Sequence, residues 1–192
     1  MYALLQKMPE DTKKLNPKQG NINNNIRLAG IINIVTIYLG YNYLPFKSYK
    51  FEDVGERLAF ALQWQTLSIG TLLFGVWRVA NGRFYSRAYS PLSGDDQDKI
   101  AVHLRYLSNT LEQFIIFIIG QLILTTYLSD NQMKLVPILA VLFVIGRITF
   151  WIGYMDPSEG NTNRAFGFAL NFTINVWTWF YLVYRLVAQL IF

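Results

Sequence analysis

Long apolar segments separated by short polar ones are the dominant pattern along this 192-residue chain. Five of them come close to or exceed the roughly 20 residues that an α-helix needs to span the hydrocarbon core of a bilayer. They cover residues 27–46, 58–80, 110–128, 135–154 and 166–191. None alternates with the period of two expected of barrel strands, and lipid offers no partner for bare backbone groups. The pattern predicts an all-α protein, an integral membrane bundle of five helices.

Composition supports this class and excludes several kinds of site. Hydrophobic residues make up 53% of the chain and charged residues 15%, whereas ordinary soluble domains carry about 25% charged residues. The chain has no cysteine, which excludes disulfides and thiolate metal sites, and its single histidine, His103, is predicted to lie at the surface. The net charge of +5 comes from Lys and Arg at the ends of apolar segments, as is typical of membrane flanks. Nucleic acid is therefore not an expected partner.

A polar leader, residues 1–26, precedes the first apolar segment. Because no small-residue cleavage pattern follows residues 27–46, we expect a retained transmembrane helix rather than a cleaved signal peptide. Within it, Asn33 and Asn42 are expected to bond to neighbouring helices. Most of the 17 Lys and Arg residues fall on the side of the leader, so the positive-inside rule predicts a cytoplasmic N-terminus. The pattern does not distinguish a bacterial inner membrane from the endoplasmic reticulum.

A polar stripe enters the third apolar segment. Arg105, Asn109 and Glu112 stand at i, i+4 and i+7, so a cation, an amide and a carboxylate share one face of a helix. Charged groups in lipid are costly, so this face must point at protein, water or a ligand.

A second stripe lies near the end of the fourth segment. It contains Arg147 and Tyr154, and Arg164 comes just before the fifth segment. If successive helices cross in opposite directions, these residues and the first stripe lie at one membrane face, where the two stripes could face each other. Three guanidiniums, an amide, a carboxylate and a phenol suit a small ligand with two carboxylates and an ammonium group.

Each of these residues also has a structural interpretation. An arginine at a helix end often extends to lipid headgroups. Glu112 could form a salt bridge with Arg105 or Arg147 instead of binding an ammonium group, and Tyr154 could belong to an interfacial aromatic belt. Spacing alone leaves these alternatives open.

The arrangement resembles a known family. The run Arg105-x-x-x-Asn109-x-x-Glu112 is similar to the second-helix signature of the MAPEG superfamily, the membrane-associated proteins of eicosanoid and glutathione metabolism. Three other elements match in order: Pro91-Leu92-Ser93-Gly94, Gly146-Arg147-Ile148 with Tyr154, and Asn163-Arg164-Ala165. The resemblance implies a four-helix membrane domain over residues 56–192. The helix at 27–46 has no counterpart in that core and resembles the additional helix of the mattrin branch.

The resemblance implies a glutathione site between the subunits of a homotrimer. Its ligands would be Arg105, Asn109, Glu112, Arg147 and Tyr154, with Arg164 holding the sulfur as thiolate. The implied function is that of a microsomal glutathione transferase-like enzyme, a transferase or peroxidase acting on lipophilic electrophiles that arrive from the bilayer. The alternative is a non-catalytic membrane adaptor of the mattrin type. A transporter is a third option, although the segments lack the paired Gly and Pro breaks of midplane substrate sites.

Overall fold

The computed structural model describes residues 17–45, 49–90, 94–156 and 162–191, which form five long α-helices. They are α1 (Pro17–Tyr43), α2 (Val54–Phe84), α3 (Gln97–Tyr127), α4 (Leu135–Met155) and α5 (Arg164–Ile191), with a short 3-10 helix (Asp130–Gln132) before α4. The predicted all-α bundle of five helices is confirmed. Helix α1 begins at Pro17, so part of the predicted leader is helical. Residues 1–16 of the leader and residues 91–93 of the Pro91-Leu92-Ser93-Gly94 motif lie outside the described residues.

Four of the five helices are long and apolar enough to cross a membrane: α2, α3, α4 together with the 3-10 helix, and α5. Helix α1 has sufficient length, but several asparagines and Arg27 interrupt its apolar residues. Its placement across the bilayer therefore stays a prediction.

Successive helices run antiparallel, so the bundle has two distinct ends. At one end, Arg57 near the start of α2 donates through Nη1 to the Leu128 carbonyl at 2.6 Å and through Nη2 to Asp130 Oδ1 at 3.0 Å, just after α3. At the other end, Gly82 of α2 faces Ile100 of α3. We call this second end the arginine end. It holds the last turns of α2 and α4 and the first turns of α3 and α5.

Local hydrogen bonds fix where two of the elements begin. The Glu56 N–H donates to Asp53 Oδ1 at 2.9 Å, which caps α2. Before α4, Ser129 and Gln132 form a reciprocal capping box in the 3-10 helix. The capping box orders the short connection between α3 and α4, where the chain reverses direction.

Helix α1 packs on the outside of the bundle, against α4 and α5. Its buried Ala29 contacts Ala169 and Leu170 of α5. Asn33 donates through Nδ2 to the Leu170 carbonyl at 2.9 Å, so its predicted bond to a neighbouring helix is confirmed. Asn42 donates instead to the Tyr38 carbonyl of its own helix. The main core lies between α2, α3, α4 and α5, and α1 adds a layer to it.

Candidate functional site

Arg147 is the most buried charged residue of the arginine end, with 0% of its surface exposed. Its Nη1 donates to Asn109 Oδ1 at 2.9 Å and its Nη2 to the Gly167 carbonyl at 3.5 Å, so the guanidinium of α4 links α3 and α5. Its Nε has no partner among the described residues. The ion pairs of the described part of the chain are Arg57–Asp130 and Lys99–Asp96, so no carboxylate pairs with Arg147 there. A buried cation held by neutral groups is costly, and inside a membrane it indicates a functional site.

Aromatic rings enclose this guanidinium. The Phe150 ring centroid lies 4.8 Å from Arg147 Cζ. Tyr106 of α3 stacks on Phe150 at 6.0 Å between ring centroids, and Tyr154 packs against the same ring at 5.4 Å. The ring faces carry partial negative charge, so they offset part of the cost of removing the cation from water.

Glycines explain how Arg147 reaches an acceptor on α5. A Cβ atom on Gly167 would collide with the backbone nitrogen of Phe150, and a Cβ atom on Gly146 would collide with the Asn171 side chain. The backbones of α4 and α5 therefore touch at this level. Small residues permit such close approach between membrane helices. This contact places the Gly167 carbonyl beside the guanidinium.

Arg164 and Tyr154 also lie close together at the arginine end, the face at which the sequence predicted both of them. The exposed Arg164 begins α5, and its Cζ lies 4.7 Å from the ring centroid of the buried Tyr154. The neighbouring Asn163 donates through Nδ2 to Asp156 Oδ2 at 2.8 Å, which fixes the approach of the chain to α5. A cation at a helix N-terminus opposes the helix dipole. An anion bound at Arg164 would relieve this opposition.

Arg105 and Glu112 lie on the outer face of α3, and both are exposed. Glu112 Oε1 accepts a long hydrogen bond of 3.4 Å from Ser108 Oγ, and in the described part of the chain it pairs with neither arginine. Among the hydrogen bonds of the described residues, the two predicted stripes meet through Asn109 and Arg147. At 100° per residue, Asn109 lies about 40° from Arg105 and about 60° from Glu112, toward the buried face of α3. The other two side chains therefore point away from α4.

The sequence analysis missed several buried amides that join α3, α4 and α5. Asn175 Nδ2 donates to Gln113 Oε1 at 2.9 Å, and Asn171 Nδ2 donates to the Phe143 carbonyl at 3.2 Å. All three side-chain amides are buried. The signal was present, because Asn171 and Asn175 stand at i and i+4 in an apolar segment, and polar residues on one helix face inside a membrane point toward protein.

His103 is only partly exposed, so the prediction of a surface histidine holds for part of its ring at most. Its ring is partly buried and stacks on Trp151 of α4, with 5.3 Å between centroids and 26° between planes. Arg78 of α2 contributes Nη2 at 3.5 Å from His103 Nε2 and places its guanidinium 5.2 Å from the Trp151 centroid. The antiparallel packing of α2 and α4 against the first turns of α3 covers the imidazole.

The arginine end therefore has an inner and an outer set of groups. The inner set is Arg147 with Asn109, held by packing and hydrogen bonds. The outer set is Arg105, Glu112 and Arg164, all exposed. Arginines bind carboxylates in a bidentate manner, and a carboxylate accepts from an ammonium group. The outer set has the donors and the acceptor that a zwitterionic ligand with two carboxylates requires.

Comparison with known proteins identifies relatives of this chain. Transmembrane protein 79 of Bos taurus and Transmembrane protein 79 of Mus musculus are each 25% identical to this chain over 150 residues, 76% of its length. The chain spans 37% of the length of these two relatives. No solved structure matches. Together with its four long apolar helices, these relatives make it a multi-pass integral membrane protein. The model of the MAPEG family matches residues 61–184, from α2 to the last third of α5, and the chain belongs to that family.

Proposed function

We propose that this protein is a glutathione-dependent membrane transferase or peroxidase acting on lipophilic electrophiles, and that it binds glutathione at the arginine end. The observation that carries the proposal is the fully buried Arg147, which binds Asn109 and has no carboxylate partner among the described residues. An arrangement serving stability alone gains little from such a group, because apolar residues of similar volume often stabilise a protein as much or more. Membership of the MAPEG family supports the choice of ligand.

Different residues bind or orient different groups of glutathione. The exposed Arg105 binds a carboxylate, and the exposed Glu112 accepts from the ammonium group. Asn109 is only partly buried, so its amide reaches the ligand while Arg147 fixes its orientation. Arg147 therefore acts as a positioning residue, since it has no exposed surface of its own. Tyr154 supports Arg164 through its ring.

Arg164 has the role of stabilising the thiolate. A free thiol has a pKa near 8.5 and is mostly protonated at neutral pH, and a neighbouring guanidinium lowers that pKa. The sulfur of bound glutathione would form a bond to an electrophilic carbon as the bond from that carbon to its leaving group breaks, or to a peroxide oxygen as the O–O bond breaks and an alcohol departs. Because Arg164 is exposed and stacked on Tyr154, its guanidinium is accessible to the ligand and held in one region.

The proposed assembly is a homotrimer. Arg105 and Glu112 are exposed on a face of α3 that continues into Ile116 and Ile119, both more than half exposed. In a bilayer, this mixed face is costly if lipid covers it. A second copy of the chain provides a protein cover, and closed rotational symmetry lets every copy gain the same cover. Native mass spectrometry in mild detergent tests this assembly.

The binding step is tested by isothermal titration of the full chain in mild detergent with glutathione. Glu112→Gln should weaken glutathione binding by about 1.5–3 kcal/mol, the range for a hydrogen bond to a charged group. The matched control is Glu52→Gln, an exposed acid at the opposite end of the bundle, which should bind as the wild type does. Equal affinities of the two variants would contradict the assigned role of Glu112.

The chemical step is tested separately. Arg164→Ala should retain most glutathione binding but lower turnover in a chromogenic conjugation assay at least about tenfold, or roughly 1.4 kcal/mol in the barrier. Ultraviolet difference spectra should reveal a smaller thiolate fraction. Arg27→Ala is the control, because Arg27 is exposed on a different helix. If both variants keep the wild-type thiolate fraction, the role of Arg164 is wrong.

The second candidate function is that of a non-catalytic membrane adaptor with the same fold. Two observations favour it: both relatives carry the name Transmembrane protein 79, and Arg147 joins α3, α4 and α5 in the manner of a structural link. The same titration separates the candidates. If the wild type binds no glutathione at millimolar concentration, the adaptor function takes the place of the enzymatic one.

A further inference from the structure

A groove of about 750 Å³ lies between α1 and the helices α3, α4 and α5. The residues of α1 that line the groove extend from Ile26 to Asn42, a helix length of about 24 Å at 1.5 Å per residue. Apolar side chains such as Leu124, Leu139 and Trp177 form most of its wall. The volume lies within the range of small-molecule sites. No Asp, Glu, Lys or Arg is among the described residues that line it, so its chemistry suits a neutral ligand.

One buried polar atom of a residue that lines this groove lacks a partner. Asn33 is 3% exposed, and its Nδ2 is already engaged with the Leu170 carbonyl. Its Oδ1 accepts no hydrogen bond from any described residue. An unsatisfied acceptor in an apolar environment costs free energy, and a membrane interior supplies little water to satisfy it. Asn33 Oδ1 is therefore an unsatisfied hydrogen-bond acceptor beside the groove, and a ligand with a single donor would satisfy it.

A second cavity on the other side of α1 provides a contrast. It measures about 630 Å³ and lies between Gly40 of α1, Trp64 of α2 and Pro137 of α4. None of its described lining residues has a buried side-chain atom without a partner. Lipid hydrocarbon fills such a cavity without any specific recognition. Of these two cavities, only the first is lined by a described residue with a buried, unpartnered side-chain atom.

We infer that the groove between α1 and α3, α4 and α5 binds a neutral lipid alcohol, whose hydrocarbon body lies along α1 and whose hydroxyl donates to Asn33 Oδ1. A hydroxyl fits better than an amide, because an amide brings a carbonyl acceptor and the Asn33 Nδ2 donor is already in use. A fatty acid or phospholipid headgroup would place a charge where the groove offers no opposite charge. The inference does not rest on glutathione binding.

The test uses the full chain in nanodiscs and two photoreactive probes. One is a hexadecanol that carries a diazirine in its chain. The other is the methyl ether of this alcohol, which has the same hydrocarbon chain and no hydrogen-bond donor. We expect peptides of α1 and α5 to be labelled, and the alcohol to bind about fivefold more tightly than the ether, as one net hydrogen bond provides. Equal affinity of the two probes would show that the groove recognises no donor and would overturn the inference.

Two glycine variants locate the probe. Gly30 lines the groove and faces open space, so Gly30→Leu should fill the groove without a protein clash and lower alcohol labelling at least about fivefold. Gly70→Leu is the control, because Gly70 of α2 also faces open space but lies outside the groove. Both changes improve helix propensity alike. Unchanged labelling of Gly30→Leu would place the probe elsewhere and overturn the inference.

Asn33→Leu completes the test. It should abolish the preference for the alcohol over the ether, while Gly30→Leu keeps the inference testable if Asn33→Leu fails to fold. A second copy of the chain is the competing occupant. If Gly30→Leu changes the oligomer in native mass spectrometry and leaves alcohol labelling intact, the groove is a subunit interface and the lipid inference fails.

Discussion

The contact of α4 with α5 and the contact of α1 with the bundle are built in different ways. At the first, Gly167 brings the helix backbones together, and polar side chains from both helices bond across the contact. At the second, Ala29 and Asn33 provide local contacts, but grooves of about 750 and 630 Å³ remain on the two sides of α1. The first contact fixes a geometry, whereas the second leaves space that other molecules can occupy.

The family match follows the same division. It covers residues 61–184, which contain the α4–α5 contact and the helix turns that form the arginine end. Helix α1 lies outside it. The close contact therefore lies within the part of the chain that matches the family, and the grooved contact involves a helix outside that part. A site that requires fixed groups is expected at the first, and exchange of lipid is expected at the second.

Glycine variants test this comparison with the largest expected effect. Gly167→Ala should lower the free energy of unfolding by about 3 kcal/mol, because its Cβ would collide with the backbone of α4. Gly30→Ala should instead raise it by about 0.5–1 kcal/mol, because its Cβ meets open space and alanine is the better helix former. Thermal unfolding followed by circular dichroism in mild detergent measures both. Similar effects of the two changes would mean that the contacts do not differ.

Two arginine variants are expected to have effects of intermediate size on the free energy of unfolding. Arg147→Met should change the free energy of unfolding by less than about 1 kcal/mol in either direction, because removal of a buried cation without a carboxylate partner offsets the loss of the donor to Asn109 and to the Gly167 carbonyl. Arg57→Met should lower it by about 1–2 kcal/mol, because Asp130 and the Leu128 carbonyl lose their donor. Chemical denaturation of the two variants provides the values. A loss of stability in Arg147→Met larger than that in Arg57→Met would make Arg147 a structural link above all.

The smallest expected effect concerns the loop at the arginine end. Asp96 accepts from Lys99 Nζ at 2.9 Å and from the Arg87 N–H at 3.0 Å, and these bonds, that to Lys99 first, hold the pKa of its carboxyl below the ordinary value of 3.8. Its contribution to stability is present above that ordinary value and is lost as the pH falls through the lowered pKa.

The corresponding measurement compares the thermal midpoints of wild type and Asp96→Asn at about pH 6 and about pH 2.5. The variant should melt slightly lower at the higher pH, and the difference should shrink at the lower pH. Asp95→Asn is the control, since no hydrogen bond or ion pair ties that exposed neighbour to the loop among the described residues. A constant difference across this range would exclude a role for ionised Asp96.

Hydrophobic patterning was sufficient to predict the helices but not all of their ends. The segment 135–154 nearly coincides with α4, which is apolar over its whole length. The segment 110–128 begins well inside α3, which starts at Gln97. Hydropathy detects the part of a helix that lies in hydrocarbon, whereas the first turns of α3 carry polar and charged residues that are equally helical. The same reason accounts for the early start of α1.

Helical spacing predicted the site only in part. It grouped Arg105, Asn109 and Glu112 on one face, and among the described residues Asn109 is the member of this group that bonds to Arg147. It did not predict that Asn109 alone turns inward, because this depends on how α3 is rotated against α4. The partner of Arg147 on α5 depends on a backbone contact at Gly167 that no single helix reveals.

The backbone contact at Gly167 also determines how the protein responds to its membrane. Lipid tails are as apolar as leucine, so water provides no drive for helices to associate there, and dispersion between matched surfaces must hold them. A contact of that kind is indifferent to the kind of lipid that surrounds it. Helix α1 has no such match along its grooves, so in a bilayer lipid chains would compete with it for these contacts. Changes in bilayer composition should therefore shift the position of α1 before that of the other helices, so the lipid around the protein would affect its conformation.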